Sequence, residues 1–535
     1  MKIETLIKGG MYYDSVTLMQ VAKELSSMKG IIDSAVVMAT AENKSIVKTS
    51  GLYTPDLHKA SDNDLVIIVK AENGAILSKG FKRADEILKE KRKSVSSSST
   101  NKTAHSLDNA LEMIEGANMA LISVAGKYAG SLAEKCLDKN LNVMLFSDNI
   151  ALETEIALKK KALKKNLYVM GPDCGTAIVN GAPLAFANSV KRGNIGIVAA
   201  SGTGLQEVSC IISNEGGGIS QGIGTGSRDV KKEVGALTFL AALKDLQNDD
   251  KTDVILLVSK PPHPSVMKKI ISAAKKIKKP IVAVFLGGEV KANLKDNFYF
   301  AKTLQEAALK AVYIAKDGKP HQAKVKIFDI NIELEKIAIE YSKNKSSKQK
   351  YLRGLFTGGT FVSESQIVLK DILGPVWSNV PLDKKYKLRN SLNLKENSII
   401  DLGEDEFTIG RPHPMIDFSL RNKLIVSQSK KADIAVMLLD MVLGYGSNMK
   451  PIEDIMPAIK QAFINNKNLS IVASVTGTET DPQTRSKVVN ALRKAGVVVA
   501  DSNASASRLA GEILRHTCLK KSQVTSLRSP VKARK

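Results

Sequence analysis

The fold is decided by the stretch Asn194-Ile-Gly-Ile-Val-Ala-Ala-Ser-Gly-Thr-Gly-Leu-Gln-Glu207. Residues 195–200 predict a short buried strand, and Leu205 onward predicts a helix. The residues between them are small enough for a tight turn: Ser201, Gly202, Thr203 and Gly204. A helix that begins on such a turn offers unpaired backbone N–H groups and the positive end of its dipole. The stretch predicts a phosphate or carboxylate site, although the loop alone is equally consistent with an ordinary βα turn.

Two further glycine-rich loops follow, at Gln221–Asp229 and Gly354–Glu364. In the first, the Arg228 guanidinium is suited to clamp a carboxylate or phosphate. Asp229 beside it is at least as consistent with a plain helix cap. The predicted ligand-binding residues of the two loops are Gly224, Gly226, Arg228, Gly358, Gly359 and Thr360.

The later segments repeat the same order of features. Asp253-Val-Ile-Leu-Leu-Val258 is echoed by Asp433-Ile-Ala-Val-Met-Leu438, and Ile281-Val-Ala-Val-Phe-Leu-Gly-Gly288 by Ile471-Val-Ala-Ser-Val-Thr-Gly-Thr478. We interpret this pattern as an internal duplication of one α/β domain. Two such domains facing each other would place two anion-binding loops around one substrate.

The composition indicates a globular protein of several domains, because 535 residues exceed one core and 43% are apolar. No apolar run approaches the roughly 20 residues of a membrane span, and the first residues lack a signal-peptide core. The four scattered cysteines have no metal-ligand spacing. We therefore expect a cytoplasmic protein without a membrane partner, disulfides or a bound metal.

The net charge of +24 raises the question of nucleic-acid binding. The lysines, however, are spread over predicted helix faces, and aromatic residues make up only 5% of the chain. A lysine-rich, solvated surface explains this pattern better than a nucleic-acid interface. We expect no nucleic-acid partner, but the positive field should attract small anionic substrates.

A βαβ series begins with a predicted strand at Met119–Val124, followed by a glycine turn at Ala125–Ser131 and a helix at Leu132–Lys139. The turn is not a GxGxxG, so a nicotinamide cofactor is not indicated. A nucleotide-like or pantetheine-bearing ligand is compatible with it, and Gly126 and Lys127 are the residues predicted to bind such a CoA-like ligand.

The order of these motifs resembles that of the α subunit of succinyl-CoA synthetase. Its CoA-binding domain closes with a GPNCxG-type turn and its ligase domain opens with a SGTLxxE-type loop, matched here by residues 171–175 and 201–207. From residue 1 to about 515 the chain is more narrowly similar to the FdrA family. The supporting segments are Met170-Gly-Pro-Asp-Cys-Gly-Thr-Ala177, Gly410-Arg-Pro-His-Pro-Met-Ile-Asp417, Leu439-Asp-Met-Val-Leu-Gly-Tyr-Gly446 and Gly477-Thr-Glu-Thr-Asp-Pro-Gln483.

The fold class expected with this resemblance is α/β with mostly parallel sheets. The predicted segments are a small N-terminal α/β sandwich (1–93), a linker (94–103), a Rossmann-like CoA-binding-type domain (104–190), a first flavodoxin-like ligase domain (191–316), a helical connector (317–350), a second ligase-like domain (351–517) and a basic disordered tail (518–535).

In the synthetases, the loop that matches residues 201–204 cradles the phosphoryl group of a phosphohistidine. At the position of that histidine this chain reads Gly287-Gly-Glu-Val-Lys-Ala-Asn-Leu294, without a histidine.

The FdrA resemblance implies a component of an oxamate carbamoyltransferase, in an oligomer with other enzyme subunits. Carbamoyl phosphate is already activated, so the retained loop favours transfer between it and a small keto acid amide, oxamate or oxalurate. No cofactor is then required, although CoA binding is compatible with the fold.

His413, in Arg411-Pro-His-Pro-Met-Ile-Asp417, is the leading catalytic candidate. Flanking prolines confine it to an extended segment, and Arg411 and Asp417 are near enough in sequence to orient it. Its neutral ring would accept a proton, and its imidazolium would stabilise a leaving phosphate. A structural histidine under a proline corner is the alternative.

His263, in Lys260-Pro-Pro-His-Pro264, follows a buried strand at the end of the sheet where ligands gather. Lys260 is predicted to meet a carboxylate or phosphate, and a rigid loop is an equally good explanation of the motif.

Two other functions stay open: an acid–thiol ligase subunit that uses CoA, and a non-catalytic regulatory or scaffolding subunit.

Overall fold

The computed structural model describes residues 1–11, 13, 15–40, 43, 44, 47, 48, 51–97, 104, 106–288, 297–346, 348–408 and 411–527. The chain divides into two compact units, one of Met1–Asp173 with Gly403–Ser419 and one of Cys174–Leu402 with Leu420–Lys535. None of the helices within the described ranges is both long enough and apolar enough to cross a membrane.

The first unit begins with a three-stranded antiparallel sheet in the order β1-β3-β2, formed by Lys2–Lys8, Leu65–Ala71 and Ile31–Met38. Alternate residues of the central strand, such as Leu65, Ile67 and Val69, pack on one face with the helices Ser15–Ser27 and Gly74–Ser97. Val66 and Ile68 point to the other face and pack under the segment that contains the 3₁₀ helix Pro55–Lys59. The predicted α/β sandwich is confirmed.

A parallel sheet follows in the same unit, in the order β4-β5-β6, formed by Met119–Ile122, Asn142–Leu145 and Val169–Met170. Its helices are Leu107–Met113, Gly126–Asp138 and Leu152–Lys164. The predicted glycine turn at Ala125–Ser131 is wrong, because the helix already begins at Gly126. Gly126 is required there for packing, since a Cβ would collide with the backbone carbonyls of Asp148 and Asn149.

The first domain of the second unit is a seven-stranded sheet in the order β13-β12-β11-β9-β10-β7-β8. Neighbouring strands from β9 to β13 are parallel, and an antiparallel hairpin of β7 and β8 extends the edge. The strands are β7 Thr176–Val179, β8 Ala182–Ala185, β9 Arg192–Ala199, β10 Ile219–Gly224, β11 Val254–Ser259, β12 Ile281–Phe285 and β13 Phe298–Ala301. The helices are Gly202–Asn214, Leu237–Asn248, Pro264–Ala274 and Leu304–Asp317, and the connector helix His321–Ser342 follows them.

The second domain is a five-stranded parallel sheet in the order β15-β14-β16-β17-β18. Its strands are β14 Tyr351–Phe356, β15 Ser398–Asp401, β16 Ile434–Val442, β17 Ser470–Thr476 and β18 Val498–Ala500. The helices of this part of the chain are Gly359–Leu373, Lys384–Tyr386 (3₁₀), Asp405–Thr408, Ser419–Ser429, Pro451–Asn465, Arg485–Lys494 and Asn503–Leu527. The last helix extends into the segment 518–535, for which the sequence predicts disorder; residues 528–535 lie outside the described ranges, as do linker residues 98–103.

The two domains share one strand order. β10-β9-β11-β12-β13 and β15-β14-β16-β17-β18 are both the 2-1-3-4-5 arrangement of flavodoxin-like sheets. The α/β fold class with two flavodoxin-like domains is therefore confirmed, and the shared order supports an internal duplication. In each copy the strand order reverses beside the first strand, so ligands are expected at the carboxyl ends of β9 and β14.

Candidate functional site

The loops that follow β9 and β14 meet in the second unit. Ser201 is the N-cap of the helix Gly202–Asn214, and its Oγ accepts a hydrogen bond from the Gly204 N–H at 3.0 Å. The same Oγ lies 2.6 Å from the Oγ1 of Thr360, in the first turn of the helix Gly359–Leu373. Two helix N-termini therefore converge on one place, where their dipoles and unpaired N–H groups favour an anion.

The meeting of the two loops is reciprocal. Ser201 and Gly358 are both N-cap residues, and Thr203 and Thr360 each lie two positions further along. Ser201 touches Thr360, and a Cβ built on Gly358 would lie 2.7 Å from the Oγ1 of Thr203. Equivalent residues of the two flavodoxin-like domains therefore lie in contact with each other.

A lysine and an aspartate lie beside the second loop. A Cβ on Gly359 would lie 3.2 Å from the Nζ of Lys260 and 2.6 Å from an Oδ of Asp401. Lys260 is exposed and directly follows β11, whereas Asp401 is buried and ends β15. The site therefore combines two helix N-termini and an ammonium group, which suit a phosphate, with a carboxylate, which suits proton transfer.

Two buried glutamates occupy equivalent positions, each six residues after an N-cap. Glu207 accepts hydrogen bonds from the Oγ1 of Thr476 at 2.5 Å and from the backbone N–H of Asn503 at 2.9 Å. Glu364 accepts from the N–H of Leu304 at 2.6 Å and from the Nδ2 of Asn503 at 2.8 Å. Each glutamate thereby binds the start of the last helix of the other copy, and Asn503 bridges the two carboxyl groups.

Burial raises the pKa of both glutamates, because water no longer solvates the carboxylate. The pKa of Glu364 rises to about 7, with the charge of Glu207 as an added cause. This pair was not among the residues predicted from the sequence. The available signal was the recurrence of a glutamate at the same distance from each glycine loop.

A buried ion pair between Arg421 and Asp440 fixes the start of the loop that contains Gly358 and Gly359. Asp440, in β16, accepts hydrogen bonds from the backbone N–H of Thr357 at 3.1 Å and from its hydroxyl. Arg421 donates to the same carboxylate at 3.2 Å and to the Asp440 carbonyl at 2.7 Å. Burial raises the pKa of Asp440, and the Arg421 charge opposes that rise. The segment 439–446 therefore positions the residue that precedes Gly358.

The loop Gln221–Asp229 has structural contacts of its own. The buried Asp229 carboxylate accepts from the N–H groups of Thr238 at 3.3 Å and Phe239 at 2.8 Å, at the start of the helix Leu237–Asn248. The structure thus shows the helix cap that the sequence offered as the alternative role of Asp229. A Cβ on Gly224 would collide with the carbonyl of Thr176. A ligand-binding role for Gly224, Gly226 and Arg228 stays a prediction.

The histidine motif of residues 411–417 belongs to the first unit, not to the unit of the two loops. Arg411 forms a 2.5 Å ion pair with Asp33 of β2. The Nδ1 of His413 accepts from the N–H of Met415 at 3.2 Å, and the Asp417 carboxylate accepts from Ser419. Burial lowers the pKa of His413 to about 4, so the imidazolium predicted to stabilise a leaving phosphate is absent at neutral pH. A catalytic role for the neutral ring, Arg411 and Asp417 stays a prediction.

The remaining predicted residues have local roles in the structure. His263 is the N-cap of the helix Pro264–Ala274, with its Nδ1 2.8 Å from the Ser265 Oγ. Lys127 forms an ion pair with Asp62, close to the Gly126 helix start. Residues 289–294 of the histidine-free loop lie outside the described ranges. Within those ranges, one group of side chains lies close enough together to hold a metal ion: Glu335, Glu512 and His516. Both of its glutamates already form ion pairs with Arg515.

Three family models match parts of the chain. The model for the AllF heavy metal-associated domain matches residues 1–105, the CoA binding domain model matches 190–287, and the CoA-ligase model matches 355–513. The CoA binding domain model thus matches the domain that contains the first glycine loop. The resemblance to succinyl-CoA synthetase instead predicts the CoA-binding-type domain at residues 104–190.

The N-terminal match does not bring a heavy-metal site with it. Residues 1–105 contain no cysteine, which is the thiolate ligand that soft metals prefer. The Nε2 of His58 lies 2.6 Å from the Tyr53 hydroxyl. The residues present therefore do not fit a heavy-metal site, and the match is one of fold.

Proteins of known sequence match over different lengths. The Escherichia coli protein YahF is 38% identical over 519 residues, which are 96% of this chain and 99% of YahF. Subunit alpha 1 of the ADP-forming succinate–CoA ligase of Archaeoglobus fulgidus is 27% identical over 175 residues, 32% of this chain and 58% of that subunit. A solved structure, the dinucleotide-forming acetyl-coenzyme A synthetase 1 of Ca. Korarchaeum cryptofilum, aligns at TM-score 0.33 and 16% identity over 80% of this chain and 91% of its own.

Proposed function

The chain belongs to the acyl-CoA synthetase-like family that includes Escherichia coli YahF, and from this premise we propose that its paired glycine loops bind an acyl phosphate. The acyl phosphate is carbamoyl phosphate. The protein is then the component of a multi-subunit enzyme that transfers the carbamoyl group to the amide nitrogen of oxamate, giving oxalurate.

One observation carries the proposal: the 2.6 Å contact between Ser201 and Thr360, which joins two helix N-termini in one site. In the transfer, the acceptor nitrogen forms a C–N bond to the carbamoyl carbon while the C–O bond to phosphate breaks. Negative charge grows on the departing phosphate, where the helix N-termini and Lys260 stabilise it. Asp401, beside Gly359, accepts the proton that the attacking nitrogen loses.

The sequence supports an acyl donor that arrives already activated. The segment Gly287–Leu294 contains no histidine, so the phosphohistidine expected from the succinyl-CoA synthetase resemblance has no counterpart there. An acyl phosphate is a mixed anhydride and reacts without that relay.

A second candidate is an acid–thiol ligase subunit that uses CoA. It is favoured by the CoA-ligase and CoA-binding family matches and by the similarity to a succinate–CoA ligase subunit. Here the paired loops would hold a phosphoryl group delivered by a nucleotide-binding partner. The family evidence supports this candidate about as well as the first.

Ligand-dependent thermal unfolding separates the two candidates. Carbamoyl phosphate, inorganic phosphate, CoA and ATP are each added alone; a ligand at 100 times its Kd stabilises by about 2.7 kcal/mol. Carbamoyl transfer predicts a shift with carbamoyl phosphate that Lys260→Ala reduces and Lys268→Ala, an exposed lysine of the same domain, does not. A shift with CoA and none with carbamoyl phosphate would replace it by the ligase function.

A further inference from the structure

The connector helix His321–Ser342 has apolar residues on two faces. One face, which includes Ala323, Leu334 and Ala338, is buried. The other is an exposed stripe, here called the connector stripe, with fractional exposures of 58% for Val325, 65% for Phe328, 43% for Ile332 and 41% for Ile339. Their spacing of three, four and seven residues places them on one line along the helix, as in a coiled-coil seam.

An apolar line of this length is unfavourable in water. From Val325 to Ile339 it extends about 21 Å at 1.5 Å per residue. Each square ångström of apolar surface removed from water contributes roughly 25 cal/mol. Exposed apolar side chains aligned on one helix face, here separated by Lys336 between Ile332 and Ile339, mark a candidate interaction site.

The connector stripe is complementary to the same stripe of a second copy that runs antiparallel to it. When a second copy of the helix runs antiparallel with Ile332 facing Ile332, Val325 lies opposite Ile339. The same register places Lys324 opposite Glu340, an attractive pair. Phe328 then faces Lys336, whose aliphatic stem can cover the ring.

One pair of like charges arises in this register, Asp329 opposite Glu335. The Glu335 carboxylate is already compensated within its own chain, since Arg515 lies 3.0 Å and His516 2.7 Å from it. The register therefore leaves no uncompensated repulsion along the helix. Such self-complementarity is what a two-fold symmetric contact requires, and an unrelated partner would not require it.

We propose that the connector stripe is the dimer interface of this protein, occupied by the same helix of a second copy in antiparallel orientation. The two-fold axis passes at Ile332. This contact is independent of the ligand that the glycine loops bind.

Sedimentation velocity of the full chain over a wide concentration range tests the proposal. The chain should dimerise, and Ile332→Asp should weaken dimerisation roughly 100-fold or more, because two carboxylates would be buried face to face. Ile464→Asp is the matched control, since Ile464 is 70% exposed on another helix. A chain that is monomeric throughout, including one that assembles only with other subunits, would overturn the proposal, as would a dimer that Ile332→Asp leaves intact.

A charge exchange tests the antiparallel register. Lys324→Glu and Glu340→Lys should each weaken the dimer about threefold at low salt, and the double variant should restore it. Far-UV circular dichroism establishes that each variant is folded. A double variant that dimerises no better than the single ones contradicts the register.

Discussion

At the scale of single residues, Gly359 packs against two charged side chains of the candidate site. A Cβ there would lie 2.6 Å from the carboxylate of Asp401 and 3.2 Å from the ammonium of Lys260. Gly359→Ala should therefore displace one or both groups and lower phosphate affinity at least tenfold, about 1.4 kcal/mol, by isothermal titration. Gly175→Ala is the control, because its Cβ would meet only Phe186, at 4.0 Å. Equal phosphate binding by both variants would remove Gly359 from the site.

Glu364 should make stability depend on pH. The folded chain holds the Glu364 proton up to a pKa of about 7, whereas the unfolded chain releases it near 4.5. The folded state therefore binds more protons between these values, and stability falls as pH rises through that window. This loss of unfolding free energy is at most about 3 kcal/mol. Glu364→Gln imitates the protonated acid and should abolish the loss.

Urea unfolding at pH 5 and pH 8 measures the effect. The stability of Glu364→Gln relative to the natural chain should increase from pH 5 to pH 8. Glu333→Gln, at a side chain 64% exposed, should follow the natural chain at both values. A Glu364→Gln curve parallel to that of the natural chain would show that Glu364 does not titrate in this window.

At the scale of elements, the ion pair of Arg411 and Asp33 attaches the segment 411–419 to β2 of the N-terminal sandwich. Both side chains are mostly buried, with 27% and 29% exposed, so the pair is poorly screened by water. A double-mutant cycle with Arg411→Ala and Asp33→Ala should give a coupling energy of about 0.5–1 kcal/mol in denaturant unfolding. The exposed Lys59–Asp56 pair should give a coupling near zero. Purely additive effects of Arg411 and Asp33 would contradict the attachment.

Elements were predictable where the signal is local. Buried strands such as Ile281–Phe285 are continuous apolar runs, and the N-cap Ser201 is set by its own small neighbours. The helix at Gly126 was mistaken for a turn because glycine is typical of turns. Here its missing side chain allows the backbone at Asp148 to pack closely, a tertiary contact that no local pattern reveals.

The candidate site divides in the same way. The loops at Ser201 and Gly358 were predictable, because glycines and hydroxyls at a helix start are a local signature, and the structure places the two loops in contact. Asp401, Glu207 and Glu364 were missed, since a carboxylate gains its role only from what the fold places beside it. For His413, the structure adds that Nδ1 accepts a hydrogen bond from the backbone N–H of Met415, and the catalytic role suggested by its proline-flanked motif stays a prediction.

At the scale of the whole molecule, the two flavodoxin-like domains are held together by polar contacts that the covalent connector does not supply. Besides the two glutamates, Asp481 accepts from the Asn188 side chain at 2.8 Å and from the Ser189 N–H at 2.7 Å. Segments 1–343 and 348–535, produced as separate chains in one cell, should therefore purify as a complex. Replacing Glu207 with Ala should weaken that complex, and replacing the exposed Glu333 should not. Two soluble segments that elute separately in gel filtration would contradict this prediction.

The reciprocal meeting of the two glycine loops has a consequence for how the site responds to dilution. Because both loops lie on one polypeptide, each encounters the other at a high effective concentration that does not change as the protein is diluted. The two halves are also made in a fixed one-to-one ratio, and no exchange between molecules can mix them. The anion site should therefore retain its affinity at concentrations where a site shared between separate subunits would have come apart.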